Sequence, residues 1–127
     1  MKKIPLHLLA ALCAAPAVSL AQALPPVEFP APSQPLTAAA LKEAIAGKTF
    51  DVDLADGSHW RLEYKPNGYF FVNTGSGFNG TGEWRADEAR LCSHLRGNPM
   101  SCNEVREAGG VLYLKRDSGE VIAFKRR

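Results

Sequence analysis

No motif in this 127-residue chain dictates a reaction, and what is missing narrows the field. The glycine-rich run Gly75-Ser76-Gly77-Phe78-Asn79-Gly80 has no strand-to-helix transition and no following Lys-Ser/Thr, so it is not a phosphate cradle. Asp51, Asp53 and Asp56 lack the graded oxygen ligands and terminal Glu of a calcium loop. Asp53, Ser58 and His59 are the residue types of a hydrolytic triad, but Ser58 and His59 are neighbours on a strand. Their side chains then point to opposite faces, which defeats nucleophile activation and leaves Asp53 and His59 as a cross-strand pair. Cys92 and Cys102 have no His partners at zinc-ligand spacing. We therefore expect no catalytic residues, no metal and no cofactor.

A net charge is also missing. The whole chain carries 15 Lys and Arg against 13 Asp and Glu, but Lys2 and Lys3 sit in a segment that reads as a signal peptide. Met1-Lys2-Lys3 is a basic start, residues 4–20 are an apolar run, and Ala21-Gln22-Ala23 is an A-x-A end. Cleavage after Ala23 leaves about 104 residues with equal numbers of acidic and basic side chains. A neutral domain gives no reason to expect nucleic acid or an anionic membrane as partner. Pro5, His7 and Pro16 interrupt the apolar run, so membrane insertion is not expected. Leu12 before Cys13 argues against a lipid anchor. The expected address is the bacterial periplasm or the medium, reached by a Sec-type signal. In an oxidising compartment the even pair Cys92 and Cys102 reads as a disulfide.

What is present is strand patterning. Residues 48–85 organise the chain. Phe50, Val52 and Leu54 alternate with Asp51 and Asp53, and Trp60, Leu62 and Tyr64 alternate with His59, Arg61 and Glu63. Ala55-Asp56-Gly57 is a three-residue hairpin loop with Gly in the left-handed position, which sets Val52 opposite Trp60 and Phe50 opposite Leu62. Lys65-Pro66-Asn67-Gly68 reads as a four-residue turn. That register sets Tyr64 against Tyr69 and Leu62 against Phe71, and it turns Tyr69 and Phe71 inward and Phe70 and Val72 outward. Two apolar residues on an outer face read as a covered patch or sheet contact rather than a binding site. Facing of Cys92 and Cys102 centres the next hairpin on Gly97, with the disulfide on the face opposite Leu91 and Leu95. Asp117-Ser118-Gly119 repeats the first loop and pairs Leu114 with Ile122 and Leu112 with Phe124. Thr37 caps, and Gly47 ends, a short helix whose Ala38, Leu41, Ala44 and Ile45 share one face.

The expected fold is mainly β: a small antiparallel up-and-down barrel, or a strongly curved sheet, of about eight strands with one short N-terminal helix. Its weak point is the sixth strand, where only Val105 is clearly apolar. The domains are a signal peptide over 1–23, a Pro-rich extended leader over 24–36 (Pro25, Pro26, Pro30, Pro32 and Pro35), and one barrel-like domain over 37–127.

Gly47-Lys48-Thr49-Phe50, Asp56-Gly57-x-x-Trp60, Tyr64-x-Pro66-Asn67-Gly68, Gly80-Thr81-Gly82-x-Trp84-Arg85, Leu91-Cys92 and Cys102 resemble a family of small secreted proteobacterial proteins of unknown function. The resemblance spans about residues 37 to 125 and implies export and a β-rich fold. The layout is also similar to the eight-stranded barrels of bacterial metalloprotease inhibitors, which carry one disulfide and an N-terminal inhibitory segment; Leu24-Pro25-Pro26 does not match that segment, and the Cys pair sits late. Avidin-type and lipocalin-type barrels share a Gly-x-x-aromatic first strand, but their ligand residues have no counterparts here.

With two Trp, two Tyr and three Phe turned inward, the barrel is expected to be filled. The function expected is then that of an exported, non-enzymatic interaction module, inhibitor-like and monomeric, acting on a macromolecular partner in the periplasm or outside the cell. Its expected contacts are Phe78 and Asn79 on the glycine-rich loop and Pro25 and Pro26 on the leader. The alternative is a lipocalin-like carrier with a small apolar ligand inside, which requires a cavity of a few hundred Å³.

Overall fold

The computed structural model describes residues 24–127, with Lys3 and residues 13–15 of the preceding segment. The expected signal peptide otherwise lies outside the described residues. The elements in order are β1 (Gln34–Pro35), α1 (Ala38–Ile45), β2 (Thr49–Asp53), β3 (His59–Tyr64), β4 (Tyr69–Asn73), β5 (Asn79–Asp87), β6 (Arg90–Leu95), β7 (Ser101–Ala108), β8 (Val111–Lys115) and β9 (Val121–Arg126). Strands β2 to β9 pair in sequence, all antiparallel, and β9 returns to β2, so the sheet closes into an eight-stranded up-and-down barrel. Closure leaves these strands no free edge along the ring.

Three hairpins use one loop geometry. In Ala55-Asp56-Gly57, Pro66-Asn67-Gly68 and Asp117-Ser118-Gly119 the last residue is a glycine at φ near +90°. Each glycine N–H donates to the carbonyl before the loop (Leu54, Lys65 and Arg116), and the residue carrying that carbonyl bonds back to the one after the glycine. The registers expected for the first and last follow: Val52 faces Trp60, and Leu114 faces Ile122. The middle register is a correction. Lys65, not Tyr64, pairs with Tyr69, so Tyr64 faces Phe70 and Leu62 faces Val72. The reason is that Lys65 joins the ladder, and the loop shortens from four residues to three. A one-residue slip exchanges faces. Phe70 and Val72 are core residues, whereas Tyr69 and Phe71 are 47% and 44% exposed. The Trp84 indole N–H donates to the Lys65 carbonyl at 2.9 Å and holds this turn against β5.

The two barrel ends differ. At one end stand the short turns at 65–68, 88–89 and 109–110, and α1 plugs it. Thr37 caps the helix by accepting from the Ala40 N–H, and fully buried Leu41 and Ile45 enter the core. At the other end stand the loops 54–58, 74–78, 96–100 and 116–120, with no helix over them among the described residues.

The weak sixth strand of the barrel, β7, is where the wall is thinnest. Its first half pairs with β6 and its second half with β8. The β7–β8 ladder stops at Val105 and Leu114. Beyond it, towards the open end, Ser101 Oγ and Asn103 Nδ2 each donate to the Asp117 carboxylate at 2.8 Å and bridge the split with side chains.

Cys92 and Cys102 face each other and are bonded. The ten-residue separation corresponds to about 2.5 kcal/mol of chain entropy. Protein beginning at Leu24 should show no free thiol until it is reduced, and reduction should lower its unfolding free energy in urea by about that amount. A free thiol in the unreduced protein contradicts the bond. The disulfide is consistent with an extracellular or periplasmic protein, and among the described residues no helix is long and apolar enough to cross a membrane.

The leader lies along the barrel as a strap. Gln34 and Pro35 pair with Glu107 and Arg106 of β7, beyond the end of β6. Arg106 donates to the Ser33 hydroxyl and carbonyl, and Phe29 sits between the cations of Arg106 and Lys115 at 5.7 and 5.9 Å. The Pro26 carbonyl accepts from Val121 N–H at 2.7 Å.

Candidate functional site

The barrel interior is packed at the helix end and hollow at the other. Tyr64 gathers Phe70, Phe124, Phe50 and Trp84 around it at ring separations of 5.6 to 6.3 Å. Above this aromatic floor the inward positions become small or polar: Gly80 on β5, Ser93 on β6, Ser101 and Asn103 on β7. A cavity of about 480 Å³ results. Leu62, Val72, Leu95, Leu114 and Ile122 form its wall, Tyr64, Phe70 and Phe124 its floor, and it opens to solvent between the 96–100 and 116–120 loops. The filled interior expected from the aromatic count is thus corrected. Tyr69 and Phe71 are outside, and small residues occupy inward positions that a purely apolar reading of the alternation passes over.

The mouth is polar. Trp60 stands at the edge with the Arg116 guanidinium 5.4 Å above its ring, and Arg116 pairs with Glu120 at 3.2 Å. The other Glu120 oxygen accepts from Ala55 N–H, which ties two rim loops together. Asp117 is engaged by Ser101 and Asn103 as described. The Tyr64 phenol is 3% exposed, and burial pushes its pKa above the ordinary value. Its hydroxyl has no hydrogen-bond partner among the described residues, and neither has that of Ser93.

The residues expected to make contacts are dispersed. Phe78 is 51% exposed on the open-end loop, with its ring beside Gly80 and the Leu95 side chain. Asn79 is turned to the outer face, where its carbonyl oxygen accepts from Asn73 Nδ2 at 2.7 Å. Pro25 is exposed and Pro26 is tied to Val121, beside Leu54 and Ala55 on a different side of the mouth. Phe78 alone of the four stands on the same rim as exposed Met100, a cup-mouth residue. The cup answers to the hollow-barrel alternative rather than to the filled barrel expected first; its one sequence signal is the small and polar set Gly80, Ser93, Ser101 and Asn103 at inward parity.

His59 and Asp53 meet across β2–β3 at 2.6 Å, and Lys125 adds a 3.0 Å contact. The His59 hydrogen bond, followed by Lys125, holds the Asp53 carboxyl below the usual range. Its small, solvent-screened contribution is present above the unfolded carboxylate pKa and is lost as pH falls through the lower folded value. The Ser58 hydroxyl donates to Asp56 instead, so Ser58, His59 and Asp53 do not form a relay. Among the described residues no group of three or more His, Cys, Asp or Glu side chains stands in metal-ligand geometry.

No protein-family model matches the chain, and neither does any curated protein or solved structure. The functional reading is therefore drawn from the geometry of the cup.

Proposed function

We propose that this is an exported, non-enzymatic binding protein that carries a small, mainly apolar molecule in the open end of its barrel. The reading is carried by the cup of about 480 Å³ over an aromatic floor. That volume lies within the range of small-molecule sites, and such sites combine apolar walls with a few placed polar groups. Export by a Sec-type signal to the periplasm or the medium fits the basic-apolar-AxA start and the disulfide. A monomer suffices, since the cup is built from one chain.

Pyrene tests the proposal, because it is an uncharged hydrocarbon whose emission reports its surroundings. Titrated into the protein beginning at Leu24, it should bind saturably at one site per chain with micromolar affinity or better. Phe78→Ala should leave that binding within about twofold, as Phe78 does not line the cup. Emission that stays characteristic of water at every protein concentration removes the proposal. A second reading is docking of a macromolecular partner at the mouth, and the joint exposure of Phe78 and Met100 on that rim favours it.

A further inference from the structure

We propose that the ligand is an uncharged amphipath: a mainly apolar molecule with a hydroxyl or carbonyl group recognised by the hydroxyls of Tyr64 and Ser93. This rests on the cup being a ligand site, and it adds the chemical class.

Two observations at different depths lead to it. The first lies at the floor and wall. Tyr64 is 3% exposed and lines the cup; its hydroxyl has no protein partner among the described residues and is not sealed from solvent, so it is left to the water in the cup. An apolar ligand that displaces this water leaves the hydroxyl unpaired unless the ligand replaces the hydrogen bond. Ser93 presents a second free hydroxyl from the β6 wall, opposite Ser101. A ligand with a polar atom at this depth keeps these hydroxyls bonded, and an analogue lacking that atom does not.

The second observation lies at the mouth. Among the described residues, the only charged side chains lining the cup are Arg116 and Asp117, both at its edge. Each is already engaged, Arg116 by Glu120 and the Trp60 face, Asp117 by Ser101 and Asn103. With Glu120, Asp56 and Arg96 on the mouth loops the rim sums to one negative charge. A carboxylate head deep in the cup has no cation to meet, and one at the rim faces three carboxylates against two guanidiniums. A cationic head would have to take Asp117 from the bridge that closes the wall between β7 and β8. Burial keeps the Tyr64 phenol protonated, so it serves as a neutral hydrogen-bond donor or acceptor.

The test is displacement of bound pyrene by 1-decanol and by decanoate, on the wild type, Tyr64→Phe and Ser93→Ala. Decanol should displace pyrene from the wild type at lower concentration than decanoate. Measured against pyrene affinity in the same variant, Tyr64→Phe should weaken decanol about tenfold and Ser93→Ala about threefold, the scale of one net hydrogen bond. Ser93 is partly exposed, so its Ala variant carries the test if Tyr64→Phe alters the melting temperature. Decanol affinity equal in all three proteins, with pyrene still bound, overturns the hydroxyl recognition and leaves the cup reading standing. Decanoate binding more tightly than decanol overturns the class. Failure of pyrene to bind the wild type removes the cup reading itself, and this inference with it.

Discussion

Gly82→Ala should cost about 3 kcal/mol or more, a large share of the stability of a domain this size. Gly82 faces Phe70 on one side and Leu95 on the other, in the middle of β5. A Cβ there would overlap the His94 carbonyl oxygen and reach 2.7 Å from Phe70 Cε1. The carbonyl belongs to the backbone of the next strand and has nowhere to go without breaking the β5–β6 ladder. Gly80, two residues earlier on the same inward face, is the control. Its nearest atoms are side-chain ends, Leu95 Cδ1 at 2.8 Å and Phe78 Cε1 at 3.1 Å, which can swing aside. Gly80→Ala should cost about 1 kcal/mol. Urea unfolding of the two variants compares them directly. Equal costs, or a cost below 1 kcal/mol at Gly82, would mean that β5 and β6 do not approach as closely as described. A glycine in a strand interior commonly marks such a bend or close approach.

Ser93→Trp should abolish saturable pyrene binding while leaving the melting temperature equal or higher. Ser93 points from β6 into the cup, opposite Ser101 and beside Trp84 in the ladder. An indole in its place enters the hollow rather than displacing packed atoms. Filling an apolar void typically adds about 0.5–2 kcal/mol of stability. The opposite signs on the two readouts matter, because a variant that merely disrupted the fold would lower both. Unchanged pyrene affinity in Ser93→Trp would place the dye elsewhere, the outer pair Tyr69 and Phe71 being the obvious alternative surface.

Most of the barrel was legible because the turns were. Gly57 and Gly119 fix two registers, and the facing cysteines fix a third, so Val52–Trp60, Leu114–Ile122 and Leu91–Asn103 follow from counting. Pro66-Asn67-Gly68 misled because Lys65 looks like a turn residue but extends the ladder by one pair. The strand itself offered a choice: Tyr69, Phe70, Phe71 and Val72 are apolar at both parities, so alternation cannot say which pair faces inward. Asking Pro66-Asn67-Gly68 to behave like the other two glycine-ended loops would have decided it.

The cup was illegible for a related reason. Counting aromatic rings measures how much a barrel holds and says nothing of where along its axis. Tyr64, Phe70 and Phe124 stack towards the helix end, and Ser93, Ser101 and Asn103 leave the other end hollow. Those three polar residues sit at inward positions, an exception to patterning of the kind that falls at functional sites. The strapping of the leader by Phe29, Ser33 and Pro26 depends on Arg106, Lys115 and Val121, about 70 to 95 residues later in the chain, and local pattern carries no trace of such pairings.

The open end of the barrel is the proposed ligand site. Intermolecular NOEs between bound pyrene and methyl-labelled protein test it most directly. Contacts are expected to Leu62, Leu95, Leu114 and Ile122, four of the methyl-bearing residues of the cup wall, and none to Val27 of the exposed leader or to Val121 beneath it. Saturable binding with contacts only outside the barrel, or none to these four wall residues, would contradict it.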